Sequence, residues 1–145
     1  MVNKNQNGFS LIELLIVFVV IGIVAALAIP GLLRSKRVAE NENAYATLRS
    51  MVSTQLAYNS SNGRYARLDE LNALQQQGLG TITPPNTLVR GKFTFIMNPT
   101  EPSDALLKDA YRITVTKTVG GDETPYTLDV DETGRIIEPF GSNHQ

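Results

Sequence analysis

Residues 14–33 contain no charged side chain. In a helix, at ~1.5 Å per residue, such a run spans about 30 Å, the thickness of a bilayer's hydrocarbon core. A surface of that length has to be covered by lipid or by other helices. The core helix of a soluble domain is usually shorter than this run. A cleavable secretory signal is the nearer rival, but its apolar region is usually shorter and ends at a small-residue site. Ala26-Leu27-Ala28 comes closest to such a site, and Ile29 and Pro30 carry the apolar run past it.

What precedes the run narrows its meaning. Residues 1–7 are short and polar, with Lys4 their only charged side chain, and Gly8 follows. Glu13 then places a carboxylate at the edge of the apolar helix. Burying it without a partner costs several kcal/mol. Cleavage after Gly8 would leave a free amine on Phe9, four residues before Glu13. An ammonium on one copy could then pair with the carboxylate of its neighbour. The residues alone also allow Glu13 to rest in a headgroup layer with no specific role.

The stretch Gly8-Phe9-Ser10-Leu11-Ile12-Glu13-Leu14 resembles the cleavage and methylation motif of type IV pilins and of the pseudopilins of type II secretion. The resemblance implies that a prepilin peptidase/N-methyltransferase cuts after Gly8 on the cytoplasmic face and methylates Phe9. It implies that Glu13 guides docking onto a neighbour's amino terminus, and that Pro30 bends the helix. It implies a single-pass protein of the inner membrane with its head outside the cytoplasm, which an assembly platform then builds into a surface fibre. The expected partners are further copies of the chain, joined by helix–helix packing, and the lipid bilayer before assembly. Three readings follow: the subunit of a type IV pilus, serving adhesion, twitching motility or DNA uptake; a pseudopilin or minor pilin of a secretion machine; or an uncleaved membrane-anchored binding domain.

The flanking charges conflict with that orientation. Lys4 precedes the run, whereas Arg34, Lys36 and Arg37 follow it. Counting basic residues places the C-terminal side in the cytoplasm. The motif demands the reverse, and the basic cluster can instead anchor the helix beside anionic lipid.

Beyond Arg34 the helical period continues. Val38, Tyr45, Leu48, Val52 and Leu56 form one apolar stripe, uninterrupted by Gly or Pro until Asn62-Gly63. Pro30 removes a backbone donor and is expected to kink the helix. Gly22 and Ala26 form a small-xxx-small pair, a spacing common by chance in apolar helices. The expected divisions are a leader at 1–8, a membrane or filament-core helix at 9–34, its amphipathic continuation at 35–62, and a β-rich head at 63–145.

In the head, Leu68, Leu71 and Leu74 predict a short helix closed by Gly78 or Gly80. Residues 81–86, with Pro84 and Pro85, read as a loop. Residues 92–97 read as a strand. Tyr111, Ile113 and Val115 alternate with polar residues, as do Tyr126, Leu128 and Val130, with Gly120-Gly121-Asp122 as a hairpin signal between them. Asp131-Glu132-Thr133-Gly134 is a second turn before Ile136 and Ile137. The expected fold class is α+β and pilin-like: a long helix whose C-terminal half packs on three or four antiparallel strands.

The chemistry points away from catalysis. The chain has no cysteine and a single histidine, His144 near the C-terminus, so neither a triad nor a histidine–thiolate metal site can be assembled. No catalytic residue and no cofactor is expected. Asp129, Asp131 and Glu132 gather carboxylates in a turn, but their spacing misses the EF-hand pattern, so no metal is expected either. The formal charge is -1, from 13 Lys plus Arg against 14 Asp plus Glu, and no nucleic-acid partner is implied for the isolated head. Asn59-Ser60-Ser61 has N-glycosylation spacing. The aromatic residues along the helix have the density that core packing explains.

Overall fold

The computed structural model describes residues 8–83, 86–99, 101, 103–117 and 126–138. The leader at 1–7, Pro84 and Pro85, the hairpin signal at 120–122 and His144 lie outside them. The chain divides into two compact units, Met1–Glu40 and Asn41–Gln145. One 52-residue helix, α1 (Leu11–Asn62), contributes to both.

In the first unit every described residue from 8 to 39 is exposed except Ala25, which is half-buried. The helix continues through Pro30. Nothing lies within 4 Å of a Cβ built on Gly8, Gly22 or Gly31. None of these glycines is therefore required by packing within the chain.

The second unit is built on a six-stranded antiparallel meander. The strands are β1 (Thr81–Thr83), β2 (Thr87–Arg90), β3 (Phe93–Asn98), β4 (Arg112–Lys117), β5 (Thr127–Asp131) and β6 (Ile136–Ile137), each paired with the next. Alternation decides the faces. Leu88, Phe93, Phe95, Met97, Ile113, Val115, Leu128 and Val130 are buried, whereas Thr94, Ile96, Thr114, Thr116, Thr127 and Asp129 lie half-buried on the other side. The sheet's buried side chains join Ala44, Leu48, Met51 and Val52 of α1 in one core, together with Leu68 and Leu71 of α2 (Leu68–Leu74). This is the α+β arrangement that the resemblance implies.

Three details differ from the sequence-based expectation. The sheet has six strands rather than three or four, because the supposed loop at 81–86 begins with β1, which pairs Thr81 with Val89 and Thr83 with Thr87. The seam of α1 is rotated from the expected stripe. Its buried residues are Ala44, Thr47, Leu48, Met51, Val52 and Gln55, while Val38 and Leu56 are exposed and Tyr45 is half-buried. At about 100° per residue, Val38, Tyr45 and Leu56 fall roughly 100° from the centre of the seam. The expected line therefore ran along its edge.

The end of α2 also differs. The helix stops at Leu74, before Gly78 or Gly80, and Gln76 and Gln77 take φ of 55° and 62°. Asn72, almost wholly buried, holds this left-handed turn. Its Nδ2 donates to Gln77 Oε1 (2.6 Å) and to the Gly80 carbonyl (3.2 Å), and its Oδ1 accepts from Leu79 N (3.0 Å). Gly80 is needed for another reason: a Cβ there would lie 2.5 Å from the Val89 carbonyl oxygen. The turn expected at residues 131–134 is present: Gly134 closes it between β5 and β6, with φ of 73° and its N–H donating to the Asp131 carbonyl (2.9 Å).

Candidate processing and assembly site

Helix α1 takes its first backbone bond from Leu14 N to Ser10 O (3.2 Å), so Gly8, Phe9 and Ser10 precede its regular turns. The Gly8–Phe9 peptide is thus non-helical, and both its residues are exposed, Phe9 at 85%. A peptidase needs its substrate in an extended, accessible form, and this bond is already free of helix. Glu13 lies in the first turn of α1, where the helix's N-terminal partial charge favours a carboxylate by ~0.3–1 kcal/mol. Glu13 is exposed and makes no ion pair among the described residues. Four positions separate Phe9 from Glu13, about one helical turn.

The structure therefore brings Gly8, Phe9 and Glu13 together at one accessible end. Pro30 lies about 25 Å further along the helix by its rise per residue. The flanking apolar side chains, from Leu11 to Leu33, are all exposed large hydrophobics wherever they are Leu, Ile, Val or Phe. Of the described helices, α1 alone is long and apolar enough to cross a membrane.

A polar cluster in the second unit escapes sequence reasoning altogether. Gln55 of α1 is fully buried, yet its Nε2 donates to the Ala66 carbonyl (2.8 Å) and its Oε1 accepts from Ala66 N (2.7 Å). Close by, Arg64 forks onto Glu70, with Nη1 to Oε2 at 2.8 Å and Nη2 to Oε1 at 2.7 Å. Glu70 also accepts from Arg67 N (2.8 Å), at the start of α2, and from the Tyr58 hydroxyl (3.1 Å). Asp104 accepts from Arg67 Nη2 and lies 3.3 Å from Arg64 Nε, which ties the segment before the 3-10 turn Leu106–Lys108 to α2. No periodic signal announces such a cluster. Only Asp69 and Glu70 in the first turn of a short helix hint at it.

The Arg64 hydrogen bond is the main reason the Glu70 carboxyl is held down to about 2, against the opposing effect of burial. Its folded value lies below its unfolded one, so the stabilisation is fully present above pH ~4.5 and lost as pH falls towards 2. With the side chain 26% exposed, we set it on the order of 2 kcal/mol after allowing for solvent screening. A Glu70→Gln chain should accordingly melt about 10 °C lower at pH 7. The gap to wild type should shrink as the pH approaches 2, which thermal scans across that range would check.

Of the three carboxylates in residues 129–132, two accept hydrogen bonds within the head. Asp129 Oδ1 accepts from Thr114 Oγ1 (2.6 Å), and Asp131 Oδ1 accepts from Thr133 N (3.0 Å) and Oγ1 (2.5 Å). Among the described residues no three His, Cys, Asp or Glu side chains converge on a metal-sized position.

Comparison with known proteins gives this end of the chain a meaning. The sequence model of the prokaryotic N-terminal methylation motif matches residues 3–29, which include Gly8, Phe9 and Glu13. The type II secretion system core protein G of Dickeya chrysanthemi is 31% identical over 87 residues, 57% of this chain and 52% of that protein. The type IV major pilin protein PilA of Myxococcus xanthus is 36% identical over 64 residues, 44% of this chain and 29% of that one. The type IV wide pilus major component PilA4 of Thermus thermophilus is 42% identical over 62 residues, 43% and 47% of the two chains. The chain spans about half the length of the curated relatives it matches. No solved structure matches it. The chain thus carries the prepilin methylation motif and resembles both type IV pilins and type II secretion pseudopilins.

Proposed function

We propose that this chain is a subunit of a type IV pilus. A prepilin peptidase cuts it after Gly8 and methylates Phe9, the membrane holds it by residues 11–33 with its head outside the cytoplasm, and it then polymerises through that helix. The observation that carries this reading is the coincidence of the motif with a helical segment, residues 11–33, whose Leu, Ile, Val and Phe side chains are all left exposed by the chain's own fold. Lipid covers that surface first, and the helices of other copies cover it afterwards. The open space around Gly22 and Gly31 agrees, since helical glycines unneeded by the fold permit close approach by something outside it.

The mature protein is expected to begin at N-methylphenylalanine. Intact-mass measurement of the protein recovered from membranes would show residues 1–8 missing and one methyl group added. A mass retaining them would sink the processed-subunit reading and leave a membrane-anchored binding domain.

A pseudopilin of a type II secretion machine is the second reading. It is favoured by the protein G similarity, which extends over 87 residues, beyond the 62–64 shared with the two pilins. Electron microscopy of filaments sheared from cells, with peptide mass spectrometry, separates the two. Abundant long fibres containing this chain support the pilus, and fibres lacking it leave the secretion reading.

A further inference from the structure

We infer that the bare face of α1 in the second unit, marked by Glu42 and Arg49, packs against further copies of this chain. Each copy is stepped along the helix by seven residues, so that Glu42 of one pairs with Arg49 of the next. The inference rests on the filament reading and names a contact that the second unit adds to it.

Glu42, Ala46, Arg49, Ser53, Leu56 and Ser60 are all exposed. They lie about 150° around α1 from Ala44, Thr47, Leu48, Met51, Val52 and Gln55, which the head buries. Their steps of four and three residues repeat every seven, the spacing at which parallel helices keep one seam in contact. The seam also admits close approach. The hydroxyls of Ser53 and Ser60 turn back onto their own helix, to the carbonyls of Ser50 (2.9 Å) and Leu56 (3.0 Å), so another backbone can come near without stranding a donor.

The charges identify the occupant. Residues 41–62 hold two charged side chains, Glu42 and Arg49, opposite in sign and both on this face. Neither makes an ion pair among the described residues. About 10.5 Å of helix rise separates them, too far for them to pair with each other. The face is therefore complementary to itself after a shift. Two parallel copies in register would set Glu42 against Glu42 and Arg49 against Arg49. A step of seven residues sets Glu42 beside Arg49, Ala46 beside Ser53, and Ser53 beside Ser60. It also lays the methylene stem of Arg49 on Leu56 of the copy below. An antiparallel partner would match the charges too, but subunits held in one membrane by residues 11–33 all run the same way. Repeated around a common axis, the step brings Glu42, Arg49 and Leu56 of three successive copies to one level, and each level is neutral.

The test uses filaments sheared from cells that make the full chain. It contains no cysteine, so Glu42→Cys/Arg49→Cys introduces its only thiols. Within one helix these two positions lie beyond the ~7 Å that a disulfide can bridge, so every disulfide joins two copies. Oxidised filaments should run as a ladder of dimers, trimers and longer species without reductant, whereas either single Cys variant should stay monomeric. Dimers from a single variant would mean packing in register, and a double variant that stops at dimers would mean a closed antiparallel pair; each result overturns the stepped contact. Filaments at wild-type yield with no disulfide overturn it as well and leave the filament reading standing. Charge reversal decides the matter if the thiols impede assembly. Glu42→Arg and Arg49→Glu should each cut filament yield about ten-fold at an unchanged level of membrane-bound subunit. The two together should recover it to within about two-fold, and no recovery overturns the pairing. Absence of filaments from the wild type would count instead against the filament reading itself.

Discussion

Glu13→Ala is expected to insert into the membrane and lose its leader normally, yet yield at least ten-fold less sheared filament than wild type. In the single chain Glu13 is exposed and unpaired among the described residues, and only the helix terminus favours its charge. Its removal therefore costs the isolated subunit no more than ~1 kcal/mol and makes the apolar segment easier to insert. In a bundle of helices the balance reverses. A carboxylate facing another copy is tolerated only when paired, and on the proposed reading the amine that cleavage after Gly8 would free on Phe9 is its cation. Once the pair is gone, the incoming helix loses a charge-assisted contact in a low-dielectric setting and nothing replaces it. Filament recovered per cell, measured beside membrane-bound subunit, separates assembly from insertion. Glu13→Gln, which keeps the shape and removes the charge, should behave like the Ala variant. Wild-type fibre yield from either would show the pairing to be unnecessary.

Gln55→Leu should destabilise the second unit by about 3 kcal/mol, lowering its melting temperature by roughly 15 °C. Gln55 is wholly buried and satisfies both the N–H and the carbonyl of Ala66. Leucine fills nearly the same volume but leaves both backbone groups dry and unmatched, at ~1–3 kcal/mol each. Its extra apolar contact recovers only part of that. Thermal unfolding of the full chain in detergent, followed by tyrosine circular dichroism, checks it. An unchanged melting point would mean that water reaches Ala66 when the side chain is replaced.

These two residues mark what the sequence could and could not disclose. Glu13 stands out because a charge beside an apolar run violates a simple pattern, and the residues before it explain the violation. Gln55 follows no such pattern. It sits where periodicity predicts an apolar residue, and its partner, Ala66, is eleven positions away. The same blindness shifted the seam: Thr47 and Gln55 are polar members of it, while the apolar Val38 and Leu56 lie outside. Strands β3, β4 and β5 were legible because four or more residues alternate cleanly. Strand β1 has three residues and runs into two prolines, so local chemistry favoured a loop until pairing with β2 outweighed it. The cluster of Arg64, Arg67, Glu70 and Asp104 joins residues up to 40 positions apart by charge alone, which no single-sequence period encodes.

The order of the meander has a kinetic consequence. Because consecutive strands pair with one another, each pairing closes a connection of at most 13 residues and owes little entropy to distant chain. The segment of α1 that caps this sheet, residues 44–55, lies ahead of all six strands in the sequence and so leaves the ribosome first. The sheet can therefore grow one strand at a time onto a surface that is already present. Its apolar face is never without a cover while the later strands are still arriving, which limits the interval in which two such heads could aggregate.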